Sequence, residues 1–439
     1  MGENLLSVGL DVGTTSTQMI LSKLKIENKA GSFSVPEMEI AEREIFYKSK
    51  VHFTPLKGTE LVDAERLREI IADEYNKAGI SRKSVDTGAI IITGETSRKE
   101  NARAVLAQLS DFAGDFVVAT AGPDLESVLA AKGAGADKFS RKTGKTVLHI
   151  DIGGGTSNLA LIKDGEIVKT GCLNVGGRLL KFDKDKKVTY VSPVLSGVCN
   201  VSVGEIVSES MLQSIAKILT DTLEMAAGKR APTVIFEKLM TAETTTEIMD
   251  GAEVISFSGG VADCIMQDVL WTEFGDIGPV LGKEIRKSRL CEGEYILGEE
   301  TIRATVIGAG CHSAQLSGST VFYRNVEFPL KNVPVTKFGV SGFFEENTFV
   351  SLEGVASPKY SEVTALADEI VKSSGDGPLY ICIERDMAKA LGQAIAGRVK
   401  YDRPILCIDR IKVLPESYLD VGSPVGPALP VVIKTLVLS

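Results

Sequence analysis

Apolar and polar positions alternate through "TVLHIDIGGGTSNLALIKDGEIVKTG" (146–171), and they predict a meander: strand, glycine turn, strand, hairpin at Asp164–Gly165, strand. The stretch "LLSVGLDVG" (5–13) has the same period, with Val8, Leu10 and Val12 on one side. The period becomes helical in "DAERLREIIADEYNKAG" (63–79), which opens on an Asp cap, lines up Leu67, Ile70, Ile71 and Tyr75, and stops at Gly79. Further on, the pattern predicts a strand in "TGAIIITGET" (87–96), a helix in 97–114, a strand in "GDFVVATAG" (114–122) and an Ala-rich helix in "PDLESVLAAKGAGA" (123–136). A long amphipathic helix is expected in 204–228, with Met211, Ile215, Ile218 and Leu219 inward and Gly228 at its end. "AEVISFSGGVADCI" (252–265) then reads as strand, glycine turn and helix, and the chain beyond 319 mixes strands and short helices.

One internal repeat stands out. Setting "VGLDVGTTSTQMI" (8–20) beneath "LHIDIGGGTSNLA" (148–160) aligns Val8, Leu10 and Val12 with Leu148, Ile150 and Ile152, Asp11 with Asp151, and Gly13 with Gly153. Glycines weaken strands, so a run of three inside the strongest alternation implies that something approaches the backbone closely. A tight turn rich in Gly and Thr points several N–H groups at one place, which is an anion site. A carboxylate at the strand end cannot sit on phosphate but can hold Mg²⁺ through water. Two such turns facing each other would grip a polyphosphate from both sides.

Length and composition change this picture little. A chain of 439 residues calls for two to four domains or subdomains. A net charge of -9 argues against nonspecific binding to nucleic acid or anionic membranes and leaves a local nucleotide site open. The seven cysteines contain no C-x-x-C pair, which speaks against a disulfide framework or zinc site and fits the cytosol. No stretch approaches the ~20 apolar residues of a membrane span. The basic, turn-rich "FSRKTGKT" (139–146) is the expected domain boundary; it is no P-loop, because Phe139 stands where the motif needs glycine. His149, inside an apolar strand, reads as a satisfied core residue.

"GLDVGTTSTQ", "HIDIGGGTSN" and "ISFSGGVAD" together resemble the two phosphate motifs and the adenosine motif of the actin, heat-shock chaperone and sugar kinase ATPase superfamily. "PDLESVLAAKGAGA" and "TIRATVIGAG" are similar to its two connecting helices. The resemblance implies an α/β fold of two ribonuclease-H-like halves flanking a nucleotide cleft: a first half in 1–143 with an inserted subdomain, a second in 144–318, and a C-terminal α/β region in 319–439. Within the superfamily, "IIITGETSRKENA", "STVFYRNVEFPLKNVPV" and the tail "DVGSPVGPALPVVIKTLVL" resemble the ethanolamine ammonia-lyase reactivating factors over essentially the whole chain. Members of that family are ATP-dependent chaperones of a coenzyme B12 enzyme. They release damaged cobalamin from the client so that intact adenosylcobalamin can enter.

What the resemblance implies for single residues follows from the motifs. Asp11, Gly13, Thr14 and Thr15 would form the first phosphate turn, and Asp151, Gly153, Gly154, Gly155 and Thr156 the second. Asp11 and Asp151 would be the catalytic, metal-linked carboxylates. Ser258, Gly259 and Gly260 would let adenosine approach the backbone. Asp124 and Glu126 either orient Mg²⁺ or water, or simply complement the first turn of their helix. The implied ligands are ATP or ADP and Mg²⁺; the implied partner is the client lyase, with cobalamin reached only through it. Self-association as a homodimer and association with a bacterial microcompartment accompany the resemblance. The sequence offers no counterpart of the phosphate-contacting lysine of heat-shock chaperones, which suits a slow ATPase whose output is a conformational change. Two other readings stay open here: an ATP-dependent small-molecule enzyme on the same fold, such as a cyclic-amide hydrolase subunit or a sugar kinase, and an actin-like filament protein.

Overall fold

The computed structural model describes residues 3–13, 16–28, 38–57, 61–93, 117–120, 123–241, 246–312, 314–316, 321–339, 347–411, 413, 417–424 and 429–435. The N-terminal part builds one sheet from β1 (Glu3–Val12), β2 (Ser16–Asn28), β3 (Met38–Lys48), β4 (Thr87–Ile92) and β5 (Val117–Thr120), in the order β3-β2-β1-β4-β5. The first three strands are antiparallel neighbours, and β1, β4 and β5 run parallel. A second sheet repeats this plan with β6 (Val147–Ile152), β7 (Ser157–Lys163), β8 (Glu166–Leu173), β11 (Val254–Ser258) and β12 (Glu294–Leu297), in the order β8-β7-β6-β11-β12, while β9 (Leu180–Phe182) and β10 (Val188–Val191) form a separate antiparallel pair. Its directions match as well, with β6, β7 and β8 antiparallel and β6, β11 and β12 parallel. These are two ribonuclease-H-like halves, and the sequence repeat falls on their two equivalent β-hairpins.

Helix α1 (Ala64–Ala78) covers the outer face of the first sheet, packing Leu67, Ile71 and Tyr75 on Val8, Leu10 and Val12. Asp63 caps it by accepting from the Arg66 N–H, and Gly79 ends it at φ 68°, as the sequence predicts. On the second sheet the equivalent layer is α4 (Glu209–Ala226) with α5 (Gly278–Arg286). The α4 stripe is rotated from the expected one. Leu212, Ile215, Leu219 and Leu223 are buried, with Ala216 and Ala226 on the same side, while Met211 and Ile218 are half-buried. The Asp164–Gly165 hairpin forms with both residues at positive φ, 50° and 78°.

The inner faces are covered in exchange. Helix α2 (Pro123–Gly133), which follows the first sheet, packs on β7 and β8 of the second; α6 (Ala304–His312), which follows the second sheet, packs on β1, β2 and β4 of the first. The two helices cross where a Cβ on Gly133 would run into the Ala304 carbonyl and one on Gly308 into that of Leu129. Glycine permits that approach and no other residue does. The expected boundary loop is mostly helical: α3 (Ala136–Thr143) buries Ala136 and Ser140 and packs Phe139 beside the second sheet, leaving residues 144–146 between it and β6. The helix expected in 97–114 lies outside the described residues.

The C-terminal part forms an eight-stranded sheet whose centre is four parallel strands, Leu330–Lys337, Phe349–Leu352, Leu379–Ile383 and Ile405–Asp409. Helices Tyr360–Ser373 and Ala388–Ala396 bury Ile370, Leu391 and Ile395 on it. Among the described residues no helix is long and apolar enough to cross a membrane.

Candidate functional site

Each sheet ends its central strand on a carboxylate followed by a glycine turn, and the two turns close in the same way. The Gly13 N–H donates to the Ser16 carbonyl at 2.9 Å, and the Gly153 N–H donates to the Thr156 carbonyl, also at 2.9 Å. Behind the second turn, the N–H groups of Gly177 and Arg178 donate to the carbonyls of Gly153 and Gly154 at 2.9 and 2.7 Å. Behind the first, Thr54 Oγ1 donates to the Gly13 carbonyl at 2.7 Å. The carbonyls of the second turn are therefore held from behind. The N–H groups of Gly154, Gly155 and Thr156 meet no acceptor among the described residues. Such a set of free donors is an anion cradle.

The glycines divide by what a side chain would meet. A Cβ on Gly155 or on Gly260 would meet nothing within 4 Å, so both face open space. Gly176 is different: its Cβ would enter the backbone of Gly154 and Gly155. Gly259, at φ 86°, is also structural, since a Cβ there would strike the Ile152 carbonyl at the end of β6. Thr14 and Thr15 lie outside the described residues.

The two carboxylates oppose each other. Asp11 is half-buried and Asp151 only 6% exposed. Burial lifts the Asp11 carboxyl to about 7, countered by a 2.8 Å hydrogen bond from Thr93 Oγ1, and the negative charge of Asp151 raises it further. Asp151 is lifted to about 6 by burial, against a hydrogen bond donated by Ser258. Two desolvated carboxylates, one raised by the charge of the other, are a setting that a cation would relieve. This donor set, with the free N–H groups beside it, fits a phosphate-bound Mg²⁺ carried largely by its own water.

Other expected residues fall elsewhere. Ser258 is fully buried and gives its proton to Asp151, so it backs the carboxylate and presents no surface to a nucleoside. Asp124 accepts from Thr170 Oγ1 at 2.6 Å on the edge strand β8; through Ala160 of β7 that residue is level with His149, one side-chain row behind Asp151. Glu126 is half-buried on the same helix as Asp124. Among the described residues no three His, Cys, Asp or Glu side chains gather as a metal cluster.

Three residues take part without having been expected. Thr93 holds Asp11. His149 is buried with both ring nitrogens bonded, to Ser256 Oγ at 3.0 Å and Ser258 Oγ at 2.9 Å. Arg178 lays its stem about the Gly154 backbone, and its Nε meets Asp276 Oδ2 at 3.4 Å. Among the described residues Arg178 is the one cation whose backbone is bonded to the glycine turn, and only its position directly after Gly176–Gly177 could have pointed to it.

A model of the family described as ethanolamine utilisation protein EutA matches residues 3–343 and 343–439. The chain belongs to the EutA family. It is 37% identical to the ethanolamine ammonia-lyase reactivase EutA of Escherichia coli (strain K12), across 98% of both chains. To the reactivase EutA of Salmonella typhimurium it is 36% identical, again across 98% of each. Among solved structures, the Aquifex aeolicus PPX-GPPA enzyme aligns with 70% of this chain and 99% of its own at 11% identity and a TM-score of 0.43. The ethanolamine utilization protein EutJ of Carboxydothermus hydrogenoformans aligns with 69% of this chain and 88% of its own at 16% identity and a TM-score of 0.33.

Proposed function

We propose that this chain is a reactivase of ethanolamine ammonia-lyase that uses ATP binding and hydrolysis to release damaged cobalamin from its client. The client follows from EutA relatives that match it end to end. One observation carries the nucleotide half: two glycine turns closed by the same hydrogen bond, each behind a carboxylate, with the two carboxylates near enough to repel. Gly154, Gly155 and Thr156 offer their N–H groups to phosphate, Arg178 adds a cation beside them, and Gly260 leaves room for the nucleoside. Asp11 and Asp151 would hold Mg²⁺, which when bound neutralises charge on the phosphate oxygens. With no general base required for much of phosphoryl transfer, positioning and charge suffice for slow turnover.

In this reading residues 1–143 and 144–318 supply the two sides of the cleft, with α2 and α6 crossing between them, and 319–439 form the additional α/β region. A nucleotide can shift the halves only if ATP and ADP favour different arrangements, so the client should prefer one nucleotide state. The deciding experiment adds the chain, ATP and Mg²⁺ to ethanolamine ammonia-lyase blocked with cyanocobalamin, together with fresh adenosylcobalamin. Return of lyase activity that depends on ATP is expected. ATP binding with no return of activity would remove the client from the proposal.

A further inference from the structure

We infer that His149 is a positioning residue for Asp151, held in a buried chain of hydrogen bonds that runs from Ser256 through His149 and Ser258 to the Asp151 carboxylate. Strands β6 and β11 run parallel with His149 opposite Ser256 and Asp151 opposite Ser258, and residues two apart share a face, so all four side chains lie in one patch. Ser256, His149 and Ser258 are fully buried. A carboxylate only accepts, so the single Ser258 proton goes to Asp151 Oδ1. Ser258 Oγ must then accept from His149 Nε2, across 2.9 Å. A neutral imidazole carries one N–H, so Nδ1 accepts the Ser256 proton across 3.0 Å.

Every proton in this chain points toward Asp151. The chain engages Oδ1, and among the described residues Oδ2 accepts no hydrogen bond, so one oxygen is fixed and the other left for the cleft. It also ties the strand that ends in the Gly259–Gly260 turn to the carboxylate behind the Gly153–Gly155 turn. An apolar residue at 149 would satisfy the strand pair without burying a polar ring. The ring is retained for what it holds. This inference rests on the reading of the cleft as a nucleotide site.

Two measurements test it. The chain has three histidines, so ¹⁵N-histidine NMR of the full-length protein resolves His149, identified by the signal lost in His149→Leu. The Nε2–H tautomer is expected, and the Nδ1–H tautomer, read on the wild-type chain, would overturn the chain as drawn. Steady-state ATP hydrolysis is then compared between wild type, His149→Leu, Ser258→Ala and His149→Gln, whose amide can still donate to Ser258. The first two should lose about 10-fold or more in kcat with KM for ATP moving less than about 3-fold, and His149→Gln should recover most of the loss. Unchanged kcat in both His149→Leu and Ser258→Ala, or KM rising in step with the fall in kcat, would overturn the positioning role. Failure of wild type to bind ATP by calorimetry would instead overturn the nucleotide reading, and the tautomer would still decide the hydrogen-bond chain.

Discussion

Asp11 and Asp151 belong to different sheets, yet the charge of one raises the carboxyl of the other. The first consequence is for stability in the absence of ligand. Burial raises Asp11 to about 7 and Asp151 to about 6, both above the ordinary carboxylate value of 3.8. A carboxyl whose folded pKa lies above its unfolded one costs stability as pH rises, from nothing below about 4 to the full amount above about 7. Asp11→Asn should therefore stabilise the ligand-free protein at pH 8, by about 1–2 kcal/mol after allowance for the half-exposed site, and leave it unchanged near pH 4. Thermal unfolding of both proteins across that range checks this; an advantage independent of pH would contradict the assigned cause.

The same repulsion makes the pair responsive to cations. Mg²⁺ with a nucleotide should raise the melting temperature of the wild-type chain by several degrees, since ligand at about 100 times its Kd adds about 2.7 kcal/mol. Asp151→Ala, which removes one carboxylate and strands the Ser258 proton, should lose most of that gain. Its ATP hydrolysis should fall on the order of 10²-fold. Equal ligand-induced shifts in the two proteins would place the cation elsewhere.

The glycines separate site from scaffold. Gly155→Ala puts a methyl group into open space, so the fold should keep its stability within about 0.5 kcal/mol, while ATP affinity drops about 10-fold or more because the methyl occupies the cradle. Gly176→Ala instead drives a methyl group into the backbone of Gly154 and Gly155, at a cost of about 3 kcal/mol or more. Unfolding curves and ATP titrations on the two variants should give opposite patterns. Loss of stability in Gly155→Ala would mean that the turn is packed where it is taken to be open.

Much of this was legible in the chain because it is local. The repeated carboxylate–glycine turn, the Asp63 and Gly79 caps and the Asp164–Gly165 hairpin each need only a few neighbouring residues, and each formed as expected. The bond from the Ser258 side chain to Asp151 was not legible because sequence shows a serine before two glycines but not the carboxylate opposite it, set by the pairing of β6 with β11. Thr93 reaches Asp11 from 82 positions away, a separation no periodicity encodes. Residues 139–143 look like a loop because four of the five are polar or basic next to glycine, yet Ala136 and Ser140, one turn apart, give the segment a narrow buried side. The order of the C-terminal strands is likewise a matter of long-range pairing, and the runs "LYICI" and "ILCID" give strand identity without neighbours.

Arg178 carries the last prediction. Its backbone N–H holds Gly154, its stem covers that glycine, and among the described residues its guanidinium has a single, long contact with Asp276, a carboxyl that burial keeps above its ordinary value. A long ion pair with a reluctant anion is weak, and a phosphate arriving on the adjacent N–H groups is the better partner. Arg178→Ala should raise the Kd for ATP about 10-fold and the Kd for ADP less, since the outermost phosphate adds the most charge. Arg178→Lys should fall between, keeping the charge and losing the two-pronged contact. Because the backbone bond to Gly154 survives in both variants, unfolding temperatures should stay close to wild type. Calorimetric titration with ATP and ADP decides the point: equal losses for both nucleotides would make Arg178 a brace for the turn with no direct part in holding phosphate.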